Sequence, residues 1–347
     1  MIRLLSTLCL GALLAACGVA APTGTAPIAA PTAASRPPTA IPTAAAAPTA
    51  AAVPTAIPTP TTAAAPTAAG PLTITDATGE AVTIADTSRI ITVGGTVTEI
   101  TFALGAGGQV VAVDTSSTYP PEATQLPKVG YQRQLAAEGV LALNPSLILA
   151  STEAGPPEAV EQLKNAGVPV LIVPLEYTAD GAKQAIRMLA EALGREERGD
   201  ELIAQLDRNL AEAAQVAATL NPKPRVLFLY ARGPNTVNAA GAKTSADEII
   251  RLAGGQNAIT DFDGFKPLTA EAAAAAAPDV LLLFESGLES LGGKEGLLRV
   301  PGVAQTPAGQ NGRIIAMDGL YLLGFGPRLG AAARDLAHEL KAAQEAS

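Results

Sequence analysis

The sequence predicts an α/β body of two Rossmann-like β/α lobes joined by a single long helix, with a ligand cleft between the lobes. Short apolar runs bounded by turn residues alternate with helical patterns, the order that builds parallel sheets. The alternation occurs twice. Between the two series lies a helical pattern of some seven turns with no turn residue inside it.

In chain order, Leu72 to Ile84 reads as a β-hairpin turning at Asp76-Ala77-Thr78-Gly79. Arg89 to Val93 is a buried-type strand, and Thr96-Val97-Thr98-Glu99 opens a helix to Leu104. Val110 to Val113 is the next strand. A short helix from Ala136 to Leu143 stops before Asn144-Pro145, because the residue before proline leaves helical geometry. Leu147 to Ala150 is a strand, Pro157 to Ala166 a helix and Val168 to Val173 a strand. Ala179 to Leu193 is helical, broken at Gly194, and Glu196 to about Leu220 is the long connector. The second series comprises Val226 to Leu229, the helix Ser245 to Leu252, Val280 to Leu283, Ile314 to Ala316 and a terminal helix from Gly330 to Ala343. The expected organisation is a leader at 1–17, a tether at 18–70, an N-terminal lobe at 71–178, connecting helices at 179–222 and a C-terminal lobe at 223–347. A helix is a stiffer joint than a loop, so the lobes should close little on a ligand, which would bind between them.

The N-terminus sets the compartment. Met1-Ile2-Arg3 is a short positive start, and Leu4 to Leu14 is apolar but too short to span a bilayer. Leu14-Ala15-Ala16-Cys17 then has the layout of a lipoprotein cleavage site, which makes Cys17 the lipidated first residue of the mature chain. The protein is expected outside the cytoplasm, in a periplasm or on the outer face of the membrane, held by a lipid anchor. Cys9 is lost with the leader, so no disulfide can form within the mature chain. From Gly18 to about Gly70 nearly every residue is Ala, Pro or Thr, with no periodic apolar face to offset ordering entropy.

The formal net charge of −9 argues against nucleic acid, whose phosphates attract the opposite sign. No Gly-x-Ser-x-Gly elbow or phosphate-cradling loop is present, and Gly324 to Gly330 has the wrong spacing for a dinucleotide loop. A single histidine, His338 on the terminal helix, removes a histidine-rich zinc or manganese site. The chain reads as a binding protein and not an enzyme, a surface hydrolase being the weaker alternative.

Tyr119 is the candidate residue of interest. It follows the strand Val110–Val113 in the string Asp114-Thr115-Ser116-Ser117-Thr118-Tyr119-Pro120-Pro121, in a chain with no tryptophan and five tyrosines. A phenol on a proline-stiffened loop can donate a hydrogen bond, stack on a ligand or bind a metal.

Several strings resemble the helix-linked substrate-binding proteins that feed ATP-driven importers, and among them the haem-binding members. They are Gly94 to Ile100, Asp114 to Pro120, Val129-Gly130-Tyr131-Gln132-Arg133, Ala253-Gly254-Gly255, Lys266-Pro267-Leu268, Gly287 to Gly293 and Leu323 to Arg328. The resemblance implies that Tyr119 is the axial ligand of haem iron, a hard oxygen donor on a hard ferric ion. A free tyrosine ionises at about pH 10, so nearby positive charge should help; Arg133, Lys128 and Arg232 are candidates for that charge or for holding the haem propionates. Tyr131 can stack on the porphyrin or bond the ligated phenolate, and in an extended segment Arg133 would point the same way. Gly287 to Gly293 is expected as a loop approaching the porphyrin, with Leu288 and Leu291 as apolar contacts. The partners implied are an ABC permease dimer with its ATPase subunits. Glu99 and Glu248, with Asp247 as neighbour, are the carboxylates expected to meet permease arginines; charge complementing the dipole of each helix N-terminus would account for either without a partner. Another chelate on the same fold, a corrinoid or a ferric siderophore, is the alternative ligand.

Overall fold

A computed structural model describes residues 70–346. The leader, Cys17 and all of the expected tether but Gly70 lie outside the described residues. Leu72–Thr75 (β1) and Ala81–Ile84 (β2) form the antiparallel hairpin. Asp76 stabilises its turn, accepting from Thr78 N at 2.7 Å, Thr78 Oγ1 at 2.6 Å and Glu80 N at 3.1 Å.

The first lobe follows as Ile90–Val93 (β3), Gly95–Ala103 (α1), Val110–Val113 (β4), Pro121–Thr124 (α2), Ala137–Leu141 (α3), Leu147–Ser151 (β5), Pro157–Asn165 (α4) and Val170–Val173 (β6). Its sheet runs β4-β3-β5-β6, all parallel. Every residue of β3, β5 and β6 is buried, which explains unbroken apolar runs where a one-faced sheet would alternate.

Ala179–Leu193 (α5) ends at Gly194, whose φ of 61° is the left-handed geometry glycine supplies at helix ends. Glu196–Ala217 (α6) is then unbroken for 22 residues, about 33 Å. Its buried residues Gly199, Ile203, Leu206, Asn209 and Ala213 keep the three-and-four spacing of one helical face.

The second lobe contains Arg225–Ala231 (β7), Val237–Ala240 (β8), Ser245–Leu252 (α7), Gln256–Asn257 (β9), Phe265–Pro267 (β10), Ala270–Ala276 (α8), Val280–Phe284 (β11), Glu285–Ser290 (α9), Gly293–Leu298 (α10), Pro307–Gln310 (α11), Ile314–Met317 (β12), Gly319–Leu323 (α12) and Leu329–Glu345 (α13). Its sheet runs β10-β8-β7-β11-β12, with β9 beside the start of β7. β7, β11 and β12 are parallel, while β8 and β10 add an antiparallel edge that the sequence pattern did not announce. The segment expected as a glycine-rich loop at Gly287–Gly293 is instead the end of α9 and the turn into α10, because Glu285 to Ser290 sustains a helix.

Three cores result. One lies against the outer face of each sheet. The largest runs from Ile90 and Leu147 in the first lobe through Ile186 and Leu206 of α5 and α6 to Phe228, Leu282 and Leu336 in the second. α13 lies close on α6 because Gly330 has no Cβ; one there would lie 2.4 Å from Leu206 O. A core continuous through the connecting helices gives the lobes a common packed backbone. Among the described residues no helix is long and apolar enough to cross a membrane.

Candidate ligand cleft

The carboxyl ends of the parallel strands in both sheets face one cleft, the usual ligand position in open α/β sheets. Gly94, Ser116, Gln132 and Glu153 line it from the first lobe, Gly319 and Leu320 from the second.

The Tyr119 loop is fixed from behind. Asp114 is fully buried and accepts from Gly94 N at 3.0 Å, Ser116 N at 2.8 Å and Ser117 Oγ at 2.8 Å. Ser117 continues through Thr98 to Thr92, each hydroxyl contact 2.7 Å. Buried polar groups cost stability unless bonded, so this closed chain dictates one loop conformation. Lys128 adds bonds to Ser117 O and Ala123 O. On this scaffold Tyr119 is 38 % exposed, and its hydroxyl has no hydrogen-bond partner among the described residues.

The cation beside Tyr119 comes from the other lobe. The Arg328 guanidinium lies 3.6 Å from the Tyr119 ring centroid and 5.0 Å from that of Tyr321. It is also bidentate to Glu99, both distances 2.8 Å. Burial opposes the Arg328 charge, but the bond to Glu99 and its charge outweigh that and hold the guanidinium above its ordinary pKa. Glu99 is therefore not the exposed carboxylate expected for an external arginine. It is 4 % exposed, and the arginine it meets belongs to its own chain.

The string Leu323 to Arg328 makes the contact between lobes. Thr96 Oγ1 donates to Gly324 O at 2.5 Å, Phe325 packs edge-on to Tyr177 at 5.6 Å, and Gly326 faces Thr96 and Glu99. On the first-lobe side, a Cβ at Gly95 would lie 2.9 Å from Leu320, so glycine there allows the close approach.

Tyr131 and Arg133 sit in a turn, Gln134 N bonding Tyr131 O, and not in the extended segment expected. Tyr131 is half-buried. Arg133 is tied to Glu153 at 2.7 Å, with Tyr177 Oη donating to the same carboxylate at 2.8 Å and Gln132 at 3.2 Å. Burial, then the bond to Glu153, pushes the Tyr177 phenol well above the usual range. Burial and Asp335 do the same to Tyr321. Both phenols are proton donors to carboxylates and poor anionic ligands at neutral pH.

In the second lobe Arg232 follows β7 directly, exposed, with its guanidinium 5.2 Å from the Tyr230 ring centroid. Tyr230 is edge-on to Phe265 and Phe284, and Phe265 is 46 % exposed. Leu291 is a correction: at 6 % exposure it belongs to the outer core of its lobe, and Leu288 packs partly against that core. Glu248 lies in the first turn of α7, both its oxygens held by Arg251 at 2.8 and 2.5 Å. His338 is on the exposed side of α13. No group of three or more His, Cys, Asp or Glu able to hold a bare metal ion occurs among the described residues. Arg328, Glu153 and Tyr230 were not picked out as site residues in the sequence; the only trace of Arg328's role was its place in the string Gly326-Pro327-Arg328.

The profile of the periplasmic binding protein family matches residues 90–320. Among solved structures, the periplasmic heme-binding protein RhuT from Roseiflexus sp. RS-1, in apo form, is 49 % identical, with a TM-score of 0.72, covering 74 % of this chain and 99 % of that one. The ABC transporter substrate-binding lipoprotein YvrC of Bacillus subtilis (strain 168) is 29 % identical over 78 % of this chain and 85 % of its own. The vitamin B12-binding protein of Pectobacterium carotovorum is 28 % identical over 50 % of this chain, which spans about three fifths (62 %) of that relative.

Proposed function

Because the chain belongs to the periplasmic binding protein family, we propose that it is an extracytoplasmic receptor that captures haem through the Tyr119 phenolate and delivers it to an ABC importer. Family and relatives are substrate-binding transport proteins, not enzymes, and imply a permease with its ATPase as partner. The observation that carries the haem reading is the Tyr119 phenol, exposed and without a hydrogen-bond partner among the described residues, on a loop pinned by Asp114, with the Arg328 cation on its ring face. Such an oxygen is free to bind a ferric ion. The haem-binding structural neighbour supports the same ligand.

The roles around it follow. Arg232, exposed and without a carboxylate partner among the described residues, would hold a propionate. Tyr230, Phe265 and Phe284 give the second lobe an aromatic face for a planar ligand. Arg133, engaged by Glu153, serves the lining more than the propionates. Tyr131 remains placed to stack. Glu248 is the permease contact we retain, with Arg251 as the group an external arginine must displace. Cys17 would carry the lipid anchor.

A corrinoid is the second reading, favoured by the vitamin B12-binding relatives. Titration with hemin, cyanocobalamin and a ferric hydroxamate separates the ligands. A Soret shift and saturable quenching with hemin alone supports haem; uptake of cyanocobalamin in preference to hemin overturns it.

A further inference from the structure

We infer that Arg328 is a positioning residue for Tyr119 whose action depends on Glu99, so that the ligand site is complete only while the two lobes are together. Arg328 belongs to the second lobe, at the start of α13, whereas Tyr119 and Glu99 both belong to the first. The guanidinium crosses the lobe boundary, is fixed in both in-plane directions by the bidentate carboxylate, and lays its flat face on the Tyr119 ring. Because Glu99 and Tyr119 share the first lobe, the two bonds to Glu99 keep the guanidinium on the Tyr119 ring only while the lobe that carries Arg328 stays against it. The same string holds the rest of the junction, through the Thr96–Gly324 bond and the Tyr177–Phe325 contact. Lobe separation therefore breaks Glu99–Arg328 and withdraws the cation from the phenol in one movement. This links grip on the ligand to lobe position, with the Glu99–Arg328 contact as the coupling element. The inference rests on the haem reading for the identity of the cargo and on the geometry alone for the clasp.

The test uses the full chain with Glu99→Gln, Arg328→Gln and Arg328→Lys. Hemin is the probe, its dissociation followed by transfer to apomyoglobin, and the tyrosinate–iron charge-transfer band is recorded. Spin labels at exposed Glu158 and Lys294 report lobe separation without ligand. Glu99→Gln is decisive, because it leaves the cation in place and removes only its mooring. The expected result is faster hemin loss by about tenfold in both Glu99→Gln and Arg328→Gln, a shifted charge-transfer band, and a longer or broader label distance in each. Arg328→Lys should restore the label distance in part, since it keeps the charge opposite Glu99. Glu99→Gln matching the wild type in dissociation and label distance overturns the inference, even where Arg328→Gln is impaired. A wild type that takes up no hemin sinks the haem reading, and the label distances still decide the clasp.

Discussion

Removing Arg328 alone should destabilise the body far more than removing it together with its partner. In Arg328→Ala the Glu99 carboxylate, 4 % exposed, loses both of its charged donors and is left buried beside Gly326. Breaking a buried pair from one side costs about 3 to 5 kcal/mol. The Arg328 side chain is 26 % exposed, so water can enter where it was, and the lower end, about 3 kcal/mol, applies. For a body this large each kcal/mol moves the melting temperature by about 2 °C, giving a drop of roughly 6 °C. The double variant Glu99→Gln with Arg328→Gln retains no buried charge and should lose only about 1 kcal/mol, the usual net worth of hydrogen bonds. Calorimetry and urea unfolding of the three proteins at neutral pH measure both losses. A single Arg328→Ala variant as stable as wild type, or a double variant worse than the single, refutes the buried ion pair as drawn.

Other outcomes test other parts. Burial opposes the Asp76 charge, but hydrogen bonds from Thr78, Glu80 and Ile172 outweigh it and hold the carboxyl below its ordinary 3.8. A depressed value adds stability above the unfolded pKa that is lost as pH falls through the folded one. Asp76→Asn should therefore cost about 1 to 2 kcal/mol at pH 7, with the gap from wild type shrinking below about pH 4; an unchanged gap at pH 3 in urea melts contradicts this. Leu291→Ala should cost about 2 to 4 kcal/mol, the range for emptying a core site, and leave hemin affinity unaltered in a titration of the folded protein. Arg232→Gln should weaken hemin binding by about tenfold, the loss of one charge-assisted bond, with the melting temperature unmoved.

The sequence announced the elements whose pattern is local. Buried strands such as Leu147–Ser151 are unbroken apolar runs, and α6 shows its single face at helical spacing. The hairpin was legible from Asp76 to Gly79, because turn chemistry is written in adjacent residues. The edge strands β8 and β10 were not, since Asn238 and Lys266 sit on short, weakly apolar segments whose pairing depends on neighbours distant in sequence, β8 on β7 and β10 on β8. Gly287 to Gly293 looked like a loop by glycine content, yet Leu291 had a core to enter and the helix won. Around the site, Tyr119 was legible because it is set in a polar proline-flanked string. Arg328 was not, being 209 residues away by number (328 − 119), and Glu99 read as a surface charge for the same reason. Charge pairing across lobes is a property of the fold, which no window of sequence contains.

The most direct measurement is the visible and resonance Raman spectrum of purified full-length protein with one equivalent of hemin, compared with Tyr119→Phe. Ligation by the phenolate requires tyrosinate bands and a charge-transfer absorption in the wild type that vanish in the variant, with its melting temperature retained. Hemin bound with the same spectrum by Tyr119→Phe would contradict it.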